Sequence, residues 1–209
     1  MVRNGAVSKW LCVVALAWWG SVAHAAPSTL VVIGDSISAA YGLSDSNQGW
    51  VSLLADKLRA EGYAIRVINE SISGDTTAGG LARLDAILAA HRPHWVLVEL
   101  GANDGLRGLS PHVIENNLRQ IIERIHARGA QAVLLAMRIP PNYGPRYTEA
   151  FYAIYPRLAE TLRVPWVSFL LQDVALNTDM MQADGLHPNE RAQPVILHHV
   201  WQHLAPLLK

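Results

Sequence analysis

Thr29-Leu30-Val31-Val32-Ile33-Gly34-Asp35-Ser36 is the stretch that decides the fold. Thr29 to Ile33 is β-branched and apolar without alternation, so it reads as a strand buried on both faces that stops at Gly34. Outward from it the pattern repeats. Trp50, Leu53, Leu54 and Leu58 recur at helical spacing until Gly62, and Ala64 to Asn69 is a second short strand. Leu81, Leu84, Ile87 and Leu88 mark a second helix that closes before Pro93. Trp95 to Leu100 is a third strand, apolar throughout except for Glu99. Val113, Ile114, Leu118, Ile121, Ile122 and Ile125 give a third helix, ended by Gly129, and Ala132 to Met137 a fourth strand. Phe151, Ile154, Leu158 and Leu162 predict a fourth helix, Pro165 to Phe169 a fifth strand, and Ala192 to Leu204 a last helix with Pro194 in its first turn.

Short apolar strands alternating with amphipathic helices predict an α/β fold. Its core is a five-stranded parallel sheet with helices on both faces and right-handed crossovers. The longest irregular stretches are Arg138 to Thr148 and Gln172 to Arg191. Loops of that length in a compact domain are functional more often than idle.

The first 25 residues read differently. Arg3 and Lys9 precede an apolar run from Trp10 to Gly20, and Ala23-His24-Ala25 supplies a small-x-small cleavage pattern. That is a signal peptide, too short to span a bilayer, which takes about 20 apolar residues. The expected domain is therefore residues 26–209 of an exported, periplasmic protein. Losing Arg3 and Lys9, and no acid, leaves 15 basic against 17 acidic residues. No basic stripe points to nucleic acid and no polybasic arm to a membrane surface. Cys12 is the only cysteine and lies in the leader, so disulfides, Cys-based metal sites and a thiol nucleophile are excluded from the domain. A monomer is the expectation.

Ligands of an open parallel sheet bind beyond the carboxyl ends of its strands. The residues there are Gly34-Asp35-Ser36, then Ser71-Ile72-Ser73-Gly74-Asp75, then Gly101-Ala102-Asn103-Asp104, and before the last helix Asp184-Gly185-Leu186-His187. Acyl transfer needs a nucleophile, a base, a group that orients the base, and donors for an oxyanion. Ser36 is the candidate nucleophile, on a turn that Gly34 would permit, near a helix start. His187 is the candidate base, and Asp184, three residues earlier, its orienting carboxylate. The N–H groups of Ser36 and Gly74 and the Asn103 amide would form an oxyanion hole. Asp35, Asp75 and Asp104 read as ligands of loop amides. An apolar groove for the substrate would draw on Leu106, Leu109, Pro140, Tyr143 and Met181. His199 and His203 are four apart on the last helix, but no carboxylate or cysteine stands helpfully nearby. No metal and no cofactor is expected.

These blocks, in this order, resemble those of the SGNH, or GDSL, hydrolase family across nearly all of residues 26–209. Ser73-Gly74-Asp75-Thr76-Thr77-Ala78-Gly79-Gly80, Gly101 to Gly108 and Pro140-Pro141-Asn142-Tyr143-Gly144 are similar to one branch. Its members are small periplasmic enzymes of Gram-negative bacteria described as thioesterase I, lysophospholipase and arylesterase. Ile37 stands where the family name has Leu. The resemblance implies a flavodoxin-like three-layer sandwich and hydrolysis of acyl esters and thioesters, small or lipid-derived. It also implies a flexible loop, about Asp104 to Ser110, that closes over the acyl chain.

Two rivals keep parts of this reading. A carbohydrate or peptidoglycan O-acetyl esterase would use the same residues on a shorter acyl group. A non-catalytic flavodoxin-like module would cradle a phosphate on the strand-end glycines. The first loop lacks the spacing for that, and the module leaves Asp184 and His187 without a role.

Overall fold

The computed structural model describes residues Ser28–Leu208; the predicted signal peptide and the predicted start of the domain lie outside the described residues. Five strands, β1 (Ser28–Gly34), β2 (Ile65–Asn69), β3 (Trp95–Glu99), β4 (Gln131–Leu135) and β5 (Trp166–Val167), form one parallel sheet in the order β2-β1-β3-β4-β5. The chain steps one way from β1 to β2 and the other way from β2 through β3. The strand order therefore reverses beside β1, which opens a crevice between the carboxyl ends of β1 and β3. Leu30 to Ile33 of β1 and Val96 to Val98 of β3 are fully buried. Each such side chain contributes about 1.5–3 kcal/mol relative to exposure.

Among the described residues seven α-helices cover the sheet: α1 (Trp50–Ala60), α2 (Thr77–His91), α3 (Ala102–Leu106), α4 (Pro111–Ala127), α5 (Pro145–Tyr152), α6 (Ile154–Leu162) and α7 (Gln193–Leu204). α1 packs with α7, while α2 packs with α4 and α4 with α6, giving two helical layers about the sheet. Gly49 offers no side-chain cap to α1. Instead the buried amide of Gln193 at the start of α7 accepts the Trp50 N–H at 3.0 Å, so a long-range contact replaces a local one. Thr76 caps α2 by accepting the Gly79 N–H, and Arg92 closes that helix in a left-handed conformation before Pro93.

Four details differ from the sequence expectation. The fourth helix begins at Pro145 rather than near Phe151 and breaks at Ala153 into α5 and α6. The fifth strand is two residues long rather than five. After β1 the chain enters a turn, closed by Ala39 N–H to Asp35 O (2.9 Å) and Tyr41 N–H to Ser36 O (3.0 Å), and not a helix. The predicted loop after Asn103 is in part the short helix α3, with Asp104 buried inside it.

Candidate active site

Gly34 ends β1 with an ordinary backbone, so the sharp-turn argument for it does not hold. Its reason is space. A Cβ there would lie 2.6 Å from Glu99 Oε2 and 2.9 Å from Ser38. Glu99 enters this layer from the end of β3 and is fully buried. Its Oε2 accepts the Asp35 N–H at 3.1 Å and the Ser38 hydroxyl at 2.8 Å, while Oε1 has no partner. Asp35 Oδ1 accepts the Ile37 N–H (3.0 Å), and Asn103 Nδ2 donates to Asp35 Oδ2 (3.0 Å). The turn that carries Ser36 is thus held from beneath by two carboxyl groups, Asp35 and Glu99.

Burial pushes the Glu99 carboxyl well above its usual range, and the neighbouring Asp35 charge adds to this. Burial likewise raises Asp35 to about 6, against the opposing help of the Ile37 N–H.

The loops beyond β2 and β3 meet this turn. Glu70 N–H to Val32 O (2.8 Å) and Ile72 N–H to Gly34 O (3.0 Å) extend the β1–β2 ladder, bringing Gly74 to the same sheet edge. Gly74 has φ +80°, a conformation that favours glycine, and its carbonyl accepts from Arg107 (3.1 Å). Among the described residues neither the Ser36 nor the Gly74 N–H has an acceptor. Asp104 accepts the Thr77 N–H (2.8 Å) and hydroxyl (2.6 Å), which ties α3 to the start of α2. Asp75 accepts the Thr76 N–H and pairs with Arg83.

Asp184 and His187 arrive on a loop closed on itself. Gly185 N–H donates to Gln182 O (2.9 Å), Gln182 N–H to His187 O (2.7 Å), and Met181 bridges Pro188. Asp184 Oδ1 accepts the N–H groups of Leu186 (2.9 Å) and His187 (3.0 Å). Its Oδ2 lies 2.6 Å from His187 Nδ1, and His187 Nε2 lies 2.9 Å from Ser36 Oγ. With a proton on Nδ1 facing the carboxylate, Nε2 is the acceptor for the serine hydroxyl; the network assigns that tautomer. The His187 backbone N–H, then its side chain, hold Asp184 down at about 2. The Tyr41 ring lies 4.7 Å from the imidazole.

A cavity of about 200 Å³ opens over Ser36, Asn103 and His187. Its apolar wall is Ile37, Leu106, Met137, Pro140, Leu171 and Leu186, and Arg138 adds a cation. Of the predicted groove residues, Leu106 and Pro140 line it, whereas Leu109, Tyr143 and Met181 do not, and neither does Gly74. Tyr143 instead donates its hydroxyl to Leu106 O (2.7 Å), and Leu109 O accepts from Tyr147 (2.6 Å). Ile37, Met137 and Leu171 are not picked out by the sequence because single apolar positions in buried surroundings look like core, and Arg138 and Leu186 because single loop positions carry no pattern. A larger cavity, about 310 Å³, lies among Ala55, Tyr63, Ile65 and Val67 at the β2 edge, away from every strand-end residue. Among the described residues no three His, Cys, Asp or Glu side chains cluster as metal ligands, and no helix is long and apolar enough to cross a membrane.

Esterase TesA of Pseudomonas aeruginosa is 53% identical over 185 residues, covering 88% of this chain and 92% of that protein. Thioesterase 1/protease 1/lysophospholipase L1 of Escherichia coli K12 is 50% identical over 184 residues, 88% of this chain and 86% of that one. The crystal structure of TesA superposes with a TM-score of 0.84 at 53% identity, over 86% of this chain and 99% of that chain. The profile of the GDSL-like Lipase/Acylhydrolase family matches residues 32–193, and with such relatives the chain belongs to that family.

Proposed function

We propose that the protein is a serine esterase that hydrolyses carboxylic esters and thioesters of acyl substrates through an acyl-enzyme on Ser36. The observation that carries this reading is the contact chain Ser36 Oγ, His187 and Asp184, at 2.9 and 2.6 Å. His187 Nε2 takes the Ser36 proton as Oγ attacks the acyl carbonyl. The developing oxyanion accepts from the Ser36 and Gly74 N–H groups and from the Asn103 Nδ2 hydrogen not spent on Asp35. The alcohol or thiol leaves with the proton from His187 Nε2. Water then repeats the sequence, freeing the carboxylic acid and Ser36. Asp184 keeps the imidazole in the acting tautomer and stabilises its protonated form.

The names of the relatives, an esterase and a thioesterase/lysophospholipase, support this substrate class. The apolar wall from Ile37 to Leu186 favours acyl chains longer than acetyl over an O-acetyl group. We further propose that residues 26–209 form the catalytic domain, monomeric and exported to the periplasm after loss of residues 1–25; the leader pattern at Arg3 to Ala25 supports it. Ser36→Ala should lower p-nitrophenyl butyrate turnover by about 10⁴-fold or more at unchanged melting temperature. Near-normal turnover of that variant would remove Ser36 from the reaction.

A further inference from the structure

The hairpin Gln182–His187 is rigid within itself: two backbone bonds close it, and the Asp184 carboxylate accepts N–H groups from its own loop. None of those contacts fixes where the loop sits relative to Ser36, which is 151 positions away in sequence. A body of this kind can pivot without breaking the Asp184–His187 pair, carrying Nε2 away from Oγ. A misplacement of about 1 Å costs on the order of 10²-fold in rate. Something has to set that distance before substrate arrives.

One side chain spans the two bodies at the required place. Gln182 Nε2 donates to Tyr41 O at 2.7 Å, on the turn that carries Ser36, and to Pro188 O at 3.0 Å, directly after His187. Both partners are carbonyls, so the nitrogen must face them, and each of its two hydrogens has an acceptor. The fit is close on the Ser36 side: a Cβ on Gly42 would lie 2.1 Å from Gln182 Oε1. Further cross-links lie beyond His187: Ser44 to the Glu190 carboxylate at 3.1 and 3.2 Å is solvent-exposed, and Trp50 N–H to Gln193 Oε1 at 3.0 Å joins α1 to α7.

We propose that Gln182 is a positioning residue that locks the Asp184–His187 hairpin at hydrogen-bonding distance from Ser36. The proposal rests on the Ser36 reading and assigns Gln182 no contact with substrate. Gln182→Ala removes the tether; Gln182→Glu keeps the shape but sets carboxylate oxygens against two carbonyls.

The experiment measures kcat and KM on p-nitrophenyl butyrate per active site titrated with a fluorophosphonate. Melting temperature and the low-field His187 Nδ1–H proton resonance are recorded in parallel. The expected result for both variants is a kcat 10- to 100-fold lower with KM within about twofold, on the reasoning of a sub-ångström to 1 Å displacement. The low-field resonance should persist, because the hairpin stays intact. A kcat per titrated site within twofold of wild type overturns the proposal, as does loss of the resonance together with activity, which would mean that the hairpin has collapsed rather than moved. Failure of the Ser36 reading looks different: the wild-type enzyme would then show no turnover that depends on Ser36.

Discussion

Two aspartates flank the same serine and behave in opposite ways. Asp35 is 1% exposed, its charge opposed by burial, and its carboxyl is raised to about 6. The Asp184 side chain is 40% exposed, surrounded by N–H donors, and lowered to about 2. Proximity in sequence favours Asp35, yet its oxygens face Ile37 and Asn103, and only Asp184 reaches an imidazole nitrogen. The contrast separates two tasks. The proposed nucleophile, Ser36, stands on a buried polar layer of Asp35, Ser38 and Glu99, while the proposed acid–base pair sits on an exposed loop whose order is local. A buried carboxylate beside His187 would have to overcome its own desolvation before orienting anything. An exposed one held by backbone donors, lowered to about 2, stays ionised at neutral pH.

The comparison can be broken from either side. The largest effect belongs to Asp184. Asp184→Asn should lower kcat by about 10³- to 10⁴-fold, since the neutral amide no longer selects the tautomer. A comparable loss in Asp35→Asn with Asp184→Asn active would exchange the two roles. Next comes Glu99. Glu99→Ala leaves the Asp35 N–H and Ser38 hydroxyl unpaired in the interior and should cost about 2–4 kcal/mol in denaturant unfolding. Glu99→Gln keeps an acceptor for both and should lose clearly less than Glu99→Ala in the same measurement. Equal losses in the two variants would mean that the two hydrogen bonds to Oε2 are not what Glu99 contributes.

The smallest effect is a slope. The Asp35 carboxyl is raised in the folded state above its ordinary value of 3.8. Its contribution to stability is then fully present below about pH 4 and lost as pH rises through about 6. Asp35→Asn should flatten that part of the melting-temperature profile. Asp184 has the reverse sign: its contribution is present above about pH 4 and lost only as pH falls through about 2. Between pH 4 and 6 Asp184→Asn should therefore leave the slope as it is in wild type.

The alternation of strands and helices is legible in the sequence because the strands β1 and β3 are buried on both faces and the helices show one apolar stripe. So is the placing of the Ser36, Asn103 and His187 blocks at one edge, which follows from parallel topology. α3 is hidden because Ala102-Asn103-Asp104-Gly105-Leu106 is too short for periodicity and has Asn, Asp and Gly, poor helix formers, at its centre; the Thr77–Asp104 contact holds it from 27 positions away. Glu99 stands out in its strand as the lone polar residue, but its partners, Asp35 and Ser38, lie more than 60 positions off. Gln182 gives no signal at all, since it works by reaching two main-chain carbonyls. The sequence names the residues that carry chemistry more readily than those that hold them in place.

The most direct test is the intact mass of the protein after treatment with a fluorophosphonate, followed by peptide mapping. The account predicts one adduct, on Ser36, absent in Ser36→Ala and formed far more slowly in Asp184→Asn. A stoichiometric adduct on any other residue, or none on the folded wild-type protein, would contradict it.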